Sequence, residues 1–117
     1  MKGIVLLVDD EIDYGYILNP EGYFTVFYNN GEKAIDAIRG GLKYNLAIID
    51  RSLKGHYNGD DVIMFSKILN KPAPVISMSG YSDKPEGADI NIVKSDYSDK
   101  ELIKAVNCWF PKDSNSK

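Results

Sequence analysis

Apolar runs alternate with amphipathic segments along the whole chain. Gly3–Val8 is unbroken apolar sequence that closes on Asp9-Asp10-Glu11. Such a run predicts a strand buried on both faces. Tyr23–Tyr28 is rich in β-branched and aromatic residues and predicts a second strand. Residues 45–49, ending at Asp50, predict a third, 75–78 a fourth, and 90–93, ending at Lys94, a fifth. Between them, residues 11–18 have the pattern for about two helical turns, with Ile12, Ile17 and Leu18 available to the core and Asn19-Pro20 as the stop. Asn29 and Glu32 have capping-box spacing ahead of a helix that presents Ala34, Ile35 and Ile38 and ends at Gly40-Gly41. Residues 60–69 place Val62, Phe65, Ser66 and Leu69 on one helical face. Residues 98–110 form the clearest helix, with Ser98 and Glu101 as a capping box, a stripe of Leu102, Ala105, Val106 and Trp109, and Pro111 as the stop. Residues 81–88 are polar, contain Pro85, and predict no strong helix.

Strands alternating with helices imply an α/β fold, a parallel sheet with helices on both faces. Five strands in a chain of 117 residues suit the flavodoxin-like, doubly wound order 2-1-3-4-5. In that order the first and third strands meet at the switch point, and ligands bind beyond the carboxyl ends of the strands there.

Composition narrows the classes. Apolar residues at 44% and charged residues at 26% describe one globular domain. Residues 1–111 are its expected extent, with 112–117 a disordered polar tail. Net charge is −3 and the basic residues are scattered, which argues against nucleic acid as a partner. No apolar run approaches a membrane span. The opening run breaks into acids too early for a signal peptide, so a cytoplasmic location is expected. The single cysteine, Cys108, excludes an internal disulfide and a Cys-based metal site, and is expected to be a buried thiol. His56 reads as a surface histidine. There is no Gly-rich phosphate loop and no dinucleotide fingerprint.

The candidate chemistry lies at the strand ends. Asp9 and Asp10 close the first strand, Asp50 closes the third, Ser79 follows the fourth and Lys94 the fifth. In the expected order all five converge. Three carboxylates at close range repel one another unless a cation sits among them. Mg²⁺ suits few carboxylates, several waters and phosphate oxygens. With Lys94 as a fixed cation and Ser79 as a hydroxyl donor, these are the parts of a phosphoryl-transfer site with a carboxylate nucleophile.

Spread over residues 3–110, the arrangement resembles the receiver domain of two-component response regulators. The matching segments are Ile4-Val5-Leu6-Leu7-Val8-Asp9-Asp10-Glu11, Gly22-Tyr23, Asn30-Gly31-Glu32-Lys33-Ala34, Leu46-Ala47-Ile48-Ile49-Asp50, Ile76-Ser77-Met78-Ser79-Gly80, Gly87-Ala88-Asp89 and Val93-Lys94. The resemblance implies roles. Asp50 is the expected phosphoacceptor. Asp10 is the expected direct Mg²⁺ ligand, Asp9 acts through water, and the backbone carbonyl of Ser52 completes the metal shell. Ser79 and Lys94 contact the phosphoryl group.

The chain departs from the family in several places. The first helix is about one turn short, and the connection from Ser79 to Lys94 is roughly two turns short, which removes most or all of the family's fourth helix. Lys54 stands where the family has proline, and Gly59 is displaced by one residue. Asn91 replaces the usual aromatic three residues before Lys94, and Ser95 replaces the proline after it. The chemical set is complete while the reporting parts are reduced. The expected function is therefore a stand-alone, non-enzymatic phosphoacceptor. It would take its phosphoryl group from a histidine kinase or phosphotransfer protein and act, as a monomer, by docking to a downstream protein. Ser52 and Tyr81 flank the expected path of attacking water, and a bulky Tyr81 is a candidate shield for the phosphoryl group. A non-phosphorylated pseudo-receiver adaptor is the competing reading. An aspartyl-phosphate phosphohydrolase is more remote, since Asp9 is followed two positions on by Glu11 and no cap domain is present.

Overall fold

The computed structural model describes residues 2–95 and 98–109. The predicted tail at 112–117, Phe110 and Pro111 lie outside these residues. Five strands form one parallel sheet: β1 (Gly3–Val8), β2 (Tyr23–Tyr28), β3 (Leu46–Asp50), β4 (Val75–Ser79) and β5 (Ile90–Val93), in the order β2-β1-β3-β4-β5. This is the flavodoxin-like order expected from the sequence. Helices α2 (Gly31–Arg39) and α3 (Gly59–Leu69) cover one face, and α1 (Gly15–Leu18) and α4 (Ser98–Trp109) the other. Two cores result. Leu6, Val8, Ala47 and Ile49 pack under α2 and α3, and Val5, Leu7, Leu46 and Ile48 pack under α1 and α4. Every side chain of β3 is buried, as an unbroken apolar run requires.

The first helix is shorter than its pattern suggests. Asp9 Oδ1 accepts hydrogen bonds from the backbone N–H of Glu11 (2.8 Å) and Ile12 (2.9 Å), and Asp13 Oδ1 accepts from Gly15 N–H (2.8 Å). Side-chain carboxylates thus take the amides that a helix would use, and residues 10–14 stay non-helical. Ile12 is exposed rather than in the core, and Tyr14 is buried instead. A 3-10 turn, Asn19–Glu21, runs through Pro20 and ends at Gly22, whose φ of 97° suits glycine.

Other boundaries shift by small amounts. Asn30, not Asn29, caps α2, accepting from Lys33 N–H at 2.8 Å. Asn58 and Asp61 form a full capping box at α3. Ile63 joins the core, and Leu69, expected on the core face, is exposed. The stripe on α4 ends at Val106, so Trp109 and Cys108 are exposed and the expectation of a buried thiol is overturned.

No helix stands between β4 and β5. A crossover between parallel strands usually takes a dozen or more residues. Residues 80–89 fall short of that, and stepping away from the sheet and back uses most of them. The strands record the consequence. Ile76, Met78, Ile90 and Ile92 join the core under α4, while Ser77, Ser79 and Asn91 face the side that lacks a helix. The connection is tied down by charge. Arg51 Nη1 donates to the carbonyl and the carboxylate of Asp83 (3.2 and 3.3 Å). Asp89 Oδ2 accepts from Val75 N–H (2.7 Å) and Lys67 Nζ (2.9 Å).

Candidate functional site

Asp9 and Asp10 sit just past β1, and Asp50 closes the neighbouring β3. One carboxylate oxygen from each lies within 4.8 Å of the others. Asp9 and Asp50 are almost fully buried, and Asp10 is half-buried. Lys94 bridges the two buried acids, with Nζ 3.4 Å from Asp9 Oδ2 and 3.3 Å from Asp50 Oδ2. Four of the residues expected at the site therefore meet at the switch point.

Local structure sets each group. Lys94 N–H donates to the Ser79 carbonyl at 2.8 Å, which carries the ladder one residue past β5. Ser95, which follows Lys94, is held by Ser98: Ser95 N–H donates to Ser98 Oγ (2.6 Å), and that hydroxyl donates to the Ser95 carbonyl (2.9 Å). At Asp50, Oδ1 accepts from Ser52 N–H at 2.9 Å. Gly59 lets α3 begin against the end of β3, because a Cβ there would overlap the Asp50 carbonyl.

Burial raises the pKa of Asp50; the Ser52 amide and Lys94 oppose that shift, and Asp9 adds to it. Lys94 is pulled down by its own burial, yet Asp9 and Asp50 lift it above the ordinary lysine value. Tyr14 lies beneath the same edge. Burial raises its pKa to about 12, with Lys94 opposing and Asp9 reinforcing.

Among the described residues, Lys94 is the one cation paired within this group of three carboxylates, so the cluster has room, in charge and in donor chemistry, for a hard divalent cation. Asp50 keeps lone pairs beyond those used by the Ser52 amide and Lys94, and these are open to an electrophile.

Ser79 is buried at the end of β4, but its hydroxyl points elsewhere. It donates to the Tyr81 carbonyl (2.8 Å), accepts from Tyr81 N–H (3.2 Å), and lies 3.3 Å from Asn91 Oδ1. Ser79 and Ser52 line one cleft of about 150 Å³ with Arg51, Asn58, Asp60 and Tyr81. Tyr81 is 72% exposed at its mouth. His56 is exposed, as expected. Sequence reasoning passed over Arg51, Tyr14 and the amide of Asn91. The register that places Asn91 opposite Ser77 was the available signal for the last.

No family model matches the chain, and no curated protein matches it by sequence. Solved structures do. A response regulator receiver protein from Sinorhizobium medicae is 22% identical with a TM-score of 0.81, covering 93% of this chain and 94% of its own. A CheY-like receiver domain protein from Methanospirillum hungatei is 21% identical with a TM-score of 0.80, covering 97% and 98%. The response regulator TrrA from Thermotoga maritima, solved in complex with Mg²⁺-BeF, is 30% identical with a TM-score of 0.77, covering 91% of this chain and 97% of its own. With that identity held across nearly the whole of both chains, this protein belongs to the response regulator receiver family.

Proposed function

We propose that this receiver accepts a phosphoryl group on Asp50 from a histidine kinase or a histidine phosphotransfer protein and passes the signal on by docking to another protein. The observation that carries the reading is the meeting of Asp9, Asp10 and Asp50 within 4.8 Å, with Lys94 between the two buried acids. The Mg²⁺-BeF complex of TrrA supports it by kinship.

In this reading Asp10, Asp50 and the carbonyl of Ser52 hold Mg²⁺, and Asp9 acts through water. Bound there, Mg²⁺ would supply charge neutralisation on the phosphoryl oxygens. The protein's own groups do the rest. Ser52 N–H and Lys94 orient the Asp50 carboxylate, one of its oxygens attacks phosphorus through a lone pair left open, and Lys94 stays beside the charge that builds on the phosphoryl group. The bond from phosphorus to the donor nitrogen breaks as the aspartyl phosphate forms.

The test is acetyl phosphate with Mg²⁺, read by intact mass. One phosphoryl group is expected on the parent protein and none on Asp50→Asn. Labelling that persists in Asp50→Asn, or none on the parent, rejects the proposal. The variant must also be shown to fold, and the charge argument says that it will. A carboxyl with a raised folded pKa contributes stability below the ordinary carboxylate range and loses it as pH rises. Removing that charge raises the metal-free thermal midpoint at neutral pH.

A further inference from the structure

We propose that Asn91 is a positioning residue that frees the Ser79 hydroxyl to serve the acceptor, an inference that rests on the function proposed above. Its side chain closes a small network on the helix-free face of β4 and β5. Asn91 Oδ1 accepts from Ser77 Oγ at 2.7 Å, and Asn91 Nδ2 donates to the Tyr81 carbonyl at 2.8 Å. The amide can stand only one way round, because a carbonyl accepts and never donates. The same Tyr81 carbonyl also accepts the hydroxyl proton of Ser79.

Ser79 has one proton to give. Contacting a phosphoryl group on Asp50 means withdrawing it from Tyr81. With Asn91 present, the Tyr81 carbonyl keeps a donor after Ser79 leaves, and Asn91 Oδ1 keeps Ser77. Departure of Ser79 then orphans neither the Tyr81 carbonyl nor Asn91 Oδ1, and the Tyr81 N–H, 3.2 Å from Ser79 Oγ, is the group that gives up its partner. Without the Asn91 amide, the Ser79 hydroxyl is the remaining donor to that carbonyl among the described residues, and leaving it unpaired opposes the move. Asn91 thus acts on the acceptor through Ser79 and does not itself touch the phosphoryl group.

A double-mutant cycle in the full chain decides this, read as the initial rate of labelling by acetyl phosphate with Mg²⁺. Asn91→Ala is expected to slow labelling roughly three- to tenfold, the worth of one neutral hydrogen bond. Ser79→Ala slows it as well. In the Ser79→Ala background, Asn91→Ala should change nothing further, because the residue through which it acts is gone. Asn91→Asp gives a second, near-isosteric cycle in case the alanine variant folds poorly. Its added charge appears in both backgrounds and cancels in the comparison. A parallel readout follows the Tyr81 amide resonance on titration with Mg²⁺ and beryllofluoride. It should move in the parent and move less in Asn91→Ala.

Effects of Asn91 and Ser79 that simply multiply overturn the inference, as does an Asn91→Ala rate equal to the parent's. A parent protein that neither labels nor responds to beryllofluoride overturns the acceptor reading itself, and the two failures are thereby distinct.

Discussion

The two halves of the sheet are built on different principles. Around β1 and β3, both faces are covered by helices and the side chains are apolar to the last residue before the acids. At β4 and β5 one face is apolar, while the other, beyond Val75 under α3, carries Ser77, Ser79 and Asn91. The first half is held by packing. The second is held by hydrogen bonds and ion pairs that replace a layer of structure. A domain can therefore lose a helix without exposing an apolar sheet face, provided the strands beneath change from continuous to alternating hydrophobicity.

The contrast can be broken most directly with one apolar residue from each half. Ile49 is fully buried in β3, and Ile49→Ala should cost about 3–4 kcal/mol. Val93 in β5 is 39% exposed, and Val93→Ala should cost about 1 kcal/mol or less. Urea denaturation of the pair checks this, and equal losses would erase the difference between the halves.

The packed half has a titratable member in Tyr14. Its folded pKa of about 12 exceeds the ordinary 10.0. A raised pKa contributes stability that is whole below pH 10 and lost as pH climbs toward 12, roughly 2–3 kcal/mol in all. Phenolate absorbance should show a late-ionising tyrosine that is missing from Tyr14→Phe, and that variant should flatten the alkaline limb of the stability curve by that amount. A Tyr14 that ionises with the exposed tyrosines refutes the burial argument.

The polar half should answer to smaller changes. Asp89→Ala removes the acceptor of Val75 N–H and the partner of Lys67, for an expected loss of about 1–2 kcal/mol and faster exchange of the Val75 amide. Arg51→Ala should cost about 1 kcal/mol or less, since Asp60 and Asp83 are largely solvated. Its signature is local: amides of residues 81–84 should exchange faster while those of β3 do not. Uniform acceleration would mean that the connection is not a separately held piece.

Much of this was legible in the chain. Buried strands ending in acids specify the order and the edge where the acids meet, because apolar runs admit few other arrangements. The absence of a helix between β4 and β5 was legible from the polar, proline-containing stretch at 81–88 and from its shortness beside the family's pattern. The first helix was misread because Asp9 and Asp13 draw backbone amides into local turns, a competition that hydrophobic periodicity does not register. Asn58 with Asp61 was missed as a capping box because aspartate stands where the signature has glutamate or glutamine. Asn91 was noticed as a missing aromatic. Its amide gained meaning only with the register that sets it between Ser77 and Tyr81.

The connection between β4 and β5 has a consequence for remodelling the protein. Asp83 is fastened to Arg51 at one end and Asp89 to Lys67 at the other, so the stretch between them is bracketed by its own anchors. Lys84, next to the first anchor, is exposed. Lengthening a loop is inexpensive, about 0.6 kcal/mol for each doubling. An epitope, a fluorescent tag or a transplanted helix inserted after Lys84 would have both fixed points to hang from, while Asp9, Asp10 and Asp50 kept their spacing on the far side of β4.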